Sequence, residues 1–202
     1  MKGKICSSLR YLLFTIIILL SLLLLALIDN NGISKAIASS STTLEPKHFL
    51  TVEKPILGFK ISYPSDWNII DNDFVISFKA PSNAALVTFS ITNLSSFSKA
   101  NLTLEQYSSN EIDTIKSLES KRVGNFFKLI ESKPYLLSGQ PGHEIVFLNE
   151  TSVNTMHNYI KTLLVWSIVD DKVYQIRYSA KLSEYPNYIQ TVFYMIDSFR
   201  LL

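Results

Sequence analysis

The stretch LLVWSIVDDKVYQIRYSA, residues 163–180, contains two apolar runs on either side of Asp170-Asp171. After this dipeptide, every second residue from Tyr174 to Ala180 is apolar and the residues between are polar or charged, which is the period of a strand with one buried face. Aspartate is common in tight turns because it tolerates a left-handed backbone. The stretch therefore predicts a β-hairpin whose strands are residues 159–169 and 172–180.

The sequence outside this hairpin predicts further strands and two helices. The first helix, within residues 101–122, has apolar residues at helical spacing and a capping box formed by Thr103 and Gln106. The second helix begins with Ser183 as its N-cap and carries an apolar stripe that ends at Phe199. Runs of strands interrupted by one helix and closed by another predict an α+β fold with an antiparallel sheet, in which Trp67 and Phe199 are buried. The additional strands are residues 59–63, 74–79, 86–94, 126–131 and 144–148.

Residues 1–38 form a predicted membrane-targeting segment. An uninterrupted apolar run, residues 11–28, follows the basic residues Lys2, Lys4 and Arg10. A helix of this length, at about 1.5 Å per residue, nearly spans a bilayer core of about 30 Å, and basic flanks stay on the cytoplasmic side. We therefore expect a single-pass cell-membrane anchor with its N-terminus in the cytoplasm and the domain outside. The alternative is cleavage after Ala38, which follows a small-x-small pattern and would release a secreted, extracytoplasmic domain.

Residues 39–47 are a predicted polar tether and residues 48–202 a predicted single domain. As a flexible chain, the whole polar stretch 29–47 has a reach of about 25 Å, so an anchored domain would stay close to the membrane. Subtracting the four bases and one acid of residues 1–38 from the totals of 19 and 17 leaves 15 bases and 16 acids. A nearly neutral domain without a basic cluster argues against nucleic acid as a partner.

Five stretches of the domain resemble the landmarks of the PsbP family, relatives of the extrinsic oxygen-evolving-complex protein of photosystem II. They are GFKISYPSDWNI, FVISFKAPS, SGQPGHEIVF, the hairpin quoted above and YIQTVFYMIDSFRLL, and they extend over nearly all of residues 49–202. The resemblance implies an α-β-α sandwich around a central antiparallel sheet. It also implies a non-catalytic domain that acts through a partner; the photosynthetic members help to retain calcium and chloride. Those members have a plastid transit peptide where this chain has an anchor or signal, which argues against a photosystem role.

Acidic residues near the start of the domain are candidates for a calcium site. Asp66, Asp71 and Asp73 are close in sequence, and carboxylates are suitable ligands because Ca²⁺ takes six to eight oxygens. Their spacing lacks the pattern of an EF-hand loop, so solvated turns explain them as well.

Two histidines are candidates for a zinc or manganese site. His143 and His157 flank a predicted strand and could meet across a sheet together with Glu144. They lack H-x-x-x-H or H-x-H spacing. We therefore expect no cofactor unless one of these two groups binds a divalent cation.

The domain lacks the sequence patterns of common enzymes. It has no G-x-S-x-G elbow, no P-loop, no G-x-G-x-x-G and no cysteine, and SGQPG at residues 138–142 is typical of a turn. We therefore expect a protein that is not an enzyme. Three sequons, at Asn93, Asn101 and Asn149, are candidate N-glycosylation sites in a chain that faces outward.

These patterns favour a membrane-tethered, extracytoplasmic binding or assembly-assisting module for a membrane protein complex. One alternative is an extracytoplasmic protein that binds a metal (Ca, Mn or Zn) or a small ligand. A second alternative is a hydrolase whose site the sequence does not reveal.

Overall fold

The computed structural model describes residues 48–72, 75–94, 102–121, 126–153 and 156–202, with the backbone alone at 151–153, 156 and 157. The predicted anchor, residues 11–28, and the tether lie outside this part of the chain. Within it, no helix is long and apolar enough to cross a membrane. The elements are, in order, β1 (Phe49–Lys54), β2 (Phe59–Pro64), β3 (Asn68–Asp71), β4 (Val75–Lys79), β5 (Ala85–Asn93), α1 (Leu104–Ser120), β6 (Phe127–Leu137), β7 (Gln140–Val153), β8 (Met156–Val169), β9 (Lys172–Lys181), α2 (Tyr185–Ser198) and β10 (Arg200–Leu201).

The strands form two antiparallel sheets, as the α+β prediction requires. The larger has seven strands in the order β3-β4-β5-β9-β8-β7-β6, and the smaller has the order β1-β2-β10. The hairpin of β8 and β9 lies in the middle of the larger sheet. Its turn residues Asp170 and Asp171 have φ values of 50° and 58°, which confirms the tight turn predicted from the sequence.

The two helices cover opposite faces of the seven-stranded sheet. Alternate residues of a strand point to opposite faces, and the neighbours Val173 and Tyr174 of β9 belong to two different apolar clusters. The larger cluster joins β9 to α2 and to β2 of the smaller sheet, and the smaller cluster joins β8 to α1. Trp67 and Phe199 are 6% and 1% exposed, so their predicted burial is confirmed.

Helix α1 begins as the sequence predicts, and α2 does not. The Thr103 hydroxyl accepts a hydrogen bond from the Gln106 amide at 3.2 Å, and the Gln106 side chain accepts one from the Thr103 amide at 3.0 Å, which completes the capping box. The predicted N-cap Ser183 is wrong, because the N-cap of α2 is Glu184, whose side chain makes no capping bond.

The outer strands of the seven-stranded sheet are irregular or short. At one edge, β3 has four residues, all exposed. At the other edge, β6 is largely exposed, contains Pro134 and has a register shift between Leu129 and Glu131. Short edges, prolines and bulges all hinder the pairing of an edge strand with another chain.

Candidate functional site

The surroundings of His143 are a structural arrangement rather than an open ligand site. On β7, its ring lies 5.3 Å from the buried ring of Trp166, and its Nε2 is 2.8 Å from the Ser132 hydroxyl on β6. Burial lowers the pKa of His143 below its usual value, although the Glu144 carboxylate acts in the opposite sense. A neutral imidazole in hydrogen-bonding distance of a hydroxyl stabilises the β6–β7 pair.

The strand register does not bring the predicted zinc or manganese ligands together. His143 and Glu144 are consecutive on β7 and therefore point to opposite faces of the sheet. His143 is paired with Trp166, whereas His157 is paired with Ser152, nine residues along β8 and thus about 30 Å away. A site that combines the two histidines is therefore not formed, and no group of three or more metal-binding side chains occurs among the described residues.

Glu144 takes part in an ion pair on the sheet. It is 3% exposed, and its carboxylate lies 3.0 Å from the ammonium group of Lys133, which also contacts Glu131 at 2.7 Å. These hydrogen bonds, first to Glu131 and then to Glu144, raise the pKa of Lys133. The ion pair with Lys133 compensates the cost of burying the Glu144 carboxylate near the edge of the sheet.

The predicted calcium ligands occupy separate places. Asp66 lies in the exposed turn between β2 and β3, and Asp71 ends β3 in an ion pair with Lys54 at 2.5 Å. Asp73 lies outside the described residues. Calcium binding by these carboxylates stays a prediction, with Asp71 already paired to a lysine.

The candidate glycosylation residues differ in accessibility. Asn93 is exposed at the end of β5, and Asn101 lies outside the described residues. Asn149 is 5% exposed, and the amide nitrogen that would carry a glycan donates a hydrogen bond of 2.9 Å to Glu119 of α1. In the folded domain, Asn93 is thus a more accessible acceptor than Asn149.

One end of the domain gathers turns that expose large apolar side chains. We call it the hairpin end, and it consists of the β1–β2 turn (55–58), residues 134–142 of the β6–β7 hairpin, the β8–β9 turn (170–171), the start of α1 (104–105) and residues 200–202. The Leu202 amide donates to the Gly58 carbonyl at 2.9 Å, and the Leu201 amide donates to the Ser138 hydroxyl at 3.3 Å. These bonds fix the C-terminal residues between two of the turns.

The hairpin end has three prominent apolar side chains and a groove. Ile56 is 97% exposed, Leu136 68% and Leu202 56%. Beside Leu136 lies an open groove of about 600 Å³. Its lining is mostly apolar: Leu104, Glu105, Pro134, Tyr135, Leu136, Pro141 and Gly142.

The groove has a rigid floor. Gly142 packs so tightly on the next strand that an added Cβ atom would lie 2.3 Å from the Trp166 carbonyl oxygen. The segment SGQPG forms the turn between β6 and β7, in which Ser138 and Gly139 have φ values of 54° and 77°. These values confirm the turn predicted from the sequence. Sequence reasoning did not identify this surface, because its apolar residues are isolated in turns and have no periodic spacing.

The described domain resembles the solution structure of cyanobacterial PsbP from Synechocystis sp. PCC 6803, with a TM-score of 0.56 and 13% identity over 76% of this chain and 92% of that one. The fold is PsbP-like. The PsbP-like domain also resembles the Ran-binding protein Mog1p of Saccharomyces cerevisiae, with a TM-score of 0.54 and 7% identity over 76% of this chain and 95% of that one. No family model and no curated protein sequence matches the chain. The resemblance inferred from the sequence is thus confirmed for the fold.

Proposed function

We propose that this protein is a membrane-tethered, extracytoplasmic PsbP-like module that binds a protein partner within a membrane complex and performs no catalysis itself. The anchor predicted for residues 11–28 would hold the module near the membrane. The hairpin end would contact the partner.

The exposed apolar side chains of the hairpin end carry the proposal. An isolated exposed leucine is ordinary on a protein surface, but several on segments joined by hydrogen bonds, next to an apolar groove, are typical of an interaction site. Ile56 at 97% exposure contributes almost nothing to the core, so folding alone does not account for an isoleucine at this position.

Two further observations support a protein partner over a catalytic role. The fold is shared with Mog1p, which is described as a Ran-binding protein. The titratable residues predicted as ligands, His143 and Glu144, are engaged with Ser132 and Lys133. The hairpin end, in contrast, exposes large apolar side chains together with four charged residues, a combination that suits a protein contact: Glu105, Asp170, Asp171 and Arg200.

Site-specific photo-crosslinking in native membranes tests the proposal. The full chain carries a photo-crosslinker at residue 56, and cells also express variants with Leu136→Asp. We expect one crosslinked protein whose yield falls about tenfold with Leu136→Asp, because a charge in an apolar contact costs more than 1 kcal/mol.

Leu50 supplies a matched control. It is 48% exposed on β1, away from the hairpin end, so Leu50→Asp should leave the yield unchanged. Equal losses with Leu50→Asp and Leu136→Asp, or no crosslinked protein at residue 56, would contradict a partner at the hairpin end.

A further inference from the structure

The opposite end of the seven-stranded sheet has a different surface chemistry. We call it the lysine patch. Its members come from the start of β6, from β8 and from the end of β9: Phe126, Lys128, Tyr159, Lys161, Lys181 and Leu182.

Contacts and strand pairing join five of these residues into one surface, and Lys181, which is paired with Ile160, lies at its rim with its side chain on the other face of the sheet. The Leu182 amide donates to the Tyr159 carbonyl at 2.8 Å, and the rings of Phe126 and Tyr159 meet edge to face at 5.5 Å. Leu148 of β7 is paired with both Lys128 and Lys161, so these two lysines lie in one row across three strands, about 10 Å apart. The ammonium group of Lys161 lies 4.5 Å above the ring of Tyr185.

The patch is amphipathic. Tyr159 is 41% exposed and Leu182 47%, and both have lysines beside them. Among the 19 residues 151–169, Lys161 is the single charged residue. The β7–β8 hairpin therefore adds no acidic residue to this end of the sheet beyond Glu150. Acidic residues do lie nearby: Glu150 is 8% exposed, and the Glu184 carboxylate accepts a hydrogen bond from Asn187 at 3.1 Å. The charges of Glu144 and Glu131 also act on Tyr185, the ring under Lys161.

The chain enters the described domain on the same half of the molecule. The His48 carbonyl accepts a hydrogen bond from the Ser65 amide. The turn that contains Ser65 leads to Trp67, and the centroids of the Trp67 and Tyr188 rings are 5.8 Å apart. Tyr188 in turn lines one open groove together with Lys181. The 47 preceding residues include the apolar run 11–28, so the predicted anchor is joined to the half that carries the lysine patch.

We infer that the lysine patch rests on the lipid headgroup surface of the membrane, an inference that relies on the tether of the proposed function. A tyrosine with a polar tip, an exposed leucine and flanking lysines match the membrane–water interface, where aromatic rings lie at headgroup level and lysines attract anionic lipids. A nucleic acid would require a more basic surface than three lysines with acidic residues nearby. This contact would leave the hairpin end, across the sheet, directed away from the lipid.

Fluorescent labels at the two ends of the full chain test this inference. Cys6 is the single cysteine, so Cys6→Ser allows a polarity-sensitive dye to be placed at Leu182→Cys or, as the matched control, at Ile56→Cys. Each protein is mixed with vesicles of phosphatidylcholine, with or without about 30% phosphatidylglycerol, that carry nitroxide-labelled headgroups.

We expect a blue shift and roughly twofold stronger nitroxide quenching at residue 182 than at residue 56, with a further increase when the anionic lipid is present. The pair Lys128→Gln and Lys181→Gln should remove that increase without changing the thermal unfolding midpoint, since both side chains are exposed. Equal quenching at the two positions, or stronger quenching at residue 56, would overturn the inference.

Alkaline carbonate extraction of the same samples separates this inference from the tether. Protein retained in vesicles with a solvent-like label at residue 182 would leave the tether standing and overturn the lipid contact. Protein released by carbonate would contradict the tether. In that second case, quenching at residue 182 before extraction would still support a peripheral lipid contact. Absence of this quenching would overturn the lipid contact as well.

Discussion

The two faces of the seven-stranded sheet differ in the size of their apolar clusters and in the polar contacts that accompany them. The face under α2 is closed by apolar side chains, and the residues that α2 buries include Tyr188, Val192, Met195 and Ile196. On the other face α1 buries Tyr107 and Ile115, together with the polar residues Ser108 and Glu119. Apolar burial contributes on both faces, because α1 also belongs to an apolar cluster that contains Phe147, Leu164 and Trp166. The cluster on the α1 face is smaller, and a few directional contacts add to it.

Three hydrogen bonds join α1 to three different strands. The Trp166 indole donates to the Ser108 hydroxyl at 3.0 Å, the Gln175 amide donates to Glu111 at 3.2 Å, and the Asn149 amide donates to Glu119 at 2.9 Å. Each bond contributes about 1 kcal/mol, and more where it satisfies a buried group. We therefore expect α2 to be needed for the domain to fold, whereas α1 adds a smaller apolar contact and hydrogen bonds that can be removed one at a time.

Removal of α2 should have the largest effect. Ending the chain at Ser183 deletes a stripe of about five large side chains, each worth roughly 1.5–3 kcal/mol, which together is comparable to the whole stability of an ordinary domain. We expect loss of the cooperative transition in circular dichroism on heating. A soluble truncated chain that still unfolds cooperatively would show that the α2 face is not the principal core.

A single residue at the end of α2 tests the same face more finely. The Phe199 ring is 1% exposed and lies 5.3 Å from the ring of Phe89, so Phe199→Ala should lower the free energy of unfolding by about 3–5 kcal/mol. Tyr194→Ala is the control, because Tyr194 is 52% exposed and stacks on Phe49 at the surface. Urea denaturation of both variants measures the difference, and equal losses would contradict the difference in burial.

On the α1 face the expected loss is smaller. Ser108→Ala leaves the buried Trp166 indole without its acceptor and should cost about 1–3 kcal/mol. A double-mutant cycle with Trp166→Phe, measured by urea denaturation, isolates the bond, and we expect a coupling energy near 1 kcal/mol. Additive losses would indicate that packing, and not this bond, holds α1.

The smallest effect concerns His143, which stacks on Trp166 on the α1 face. Its pKa is lowered in the folded domain, so the unfolded chain binds the proton more readily. This contribution to stability is complete above about pH 6.5 and is lost as the pH falls through the folded pKa. Between about pH 7.5 and pH 5, the urea midpoint of His143→Gln should therefore fall less than that of the unmodified protein. An unchanged pH dependence in His143→Gln would contradict a role for this imidazole.

Strong local patterns made much of the fold predictable. The β8–β9 hairpin, the capping box of α1 and the strand that begins at Phe59 combine alternation or helical spacing with specific turn and cap residues. Strands β1, β3 and β10 were missed, and β6 was predicted too short, because edge strands bury few residues and show little alternation. The inner strand β7 was also predicted too short, as residues 144–148 instead of Gln140–Val153. The stretch ESKPYLL belongs to β6, yet its charges and proline resemble a loop.

The candidate sites were less predictable because they depend on register and on distant contacts. The residues around His157 in the sequence do not indicate that its partner on the neighbouring strand is Ser152, which lies far from His143. The hairpin end brings Ile56, Leu136 and Leu202 to one end through hydrogen bonds between residues far apart in sequence. A single sequence contains no signal for such proximity, since long-range pairing follows from the tertiary fold.

The short or irregular edge strands of the seven-stranded sheet affect how the protein behaves on heating. Residues 162–169 are largely apolar, carry no charge and lie in β8, which is hydrogen-bonded to strands on both sides, and such a segment has the composition of a fibril-forming strand. While the domain is folded, the short β3 and the proline-containing β6 prevent copies from joining edge to edge. Once it unfolds, that segment is free to pair between chains, so thermal denaturation at high concentration should end in irreversible aggregation that begins at β8.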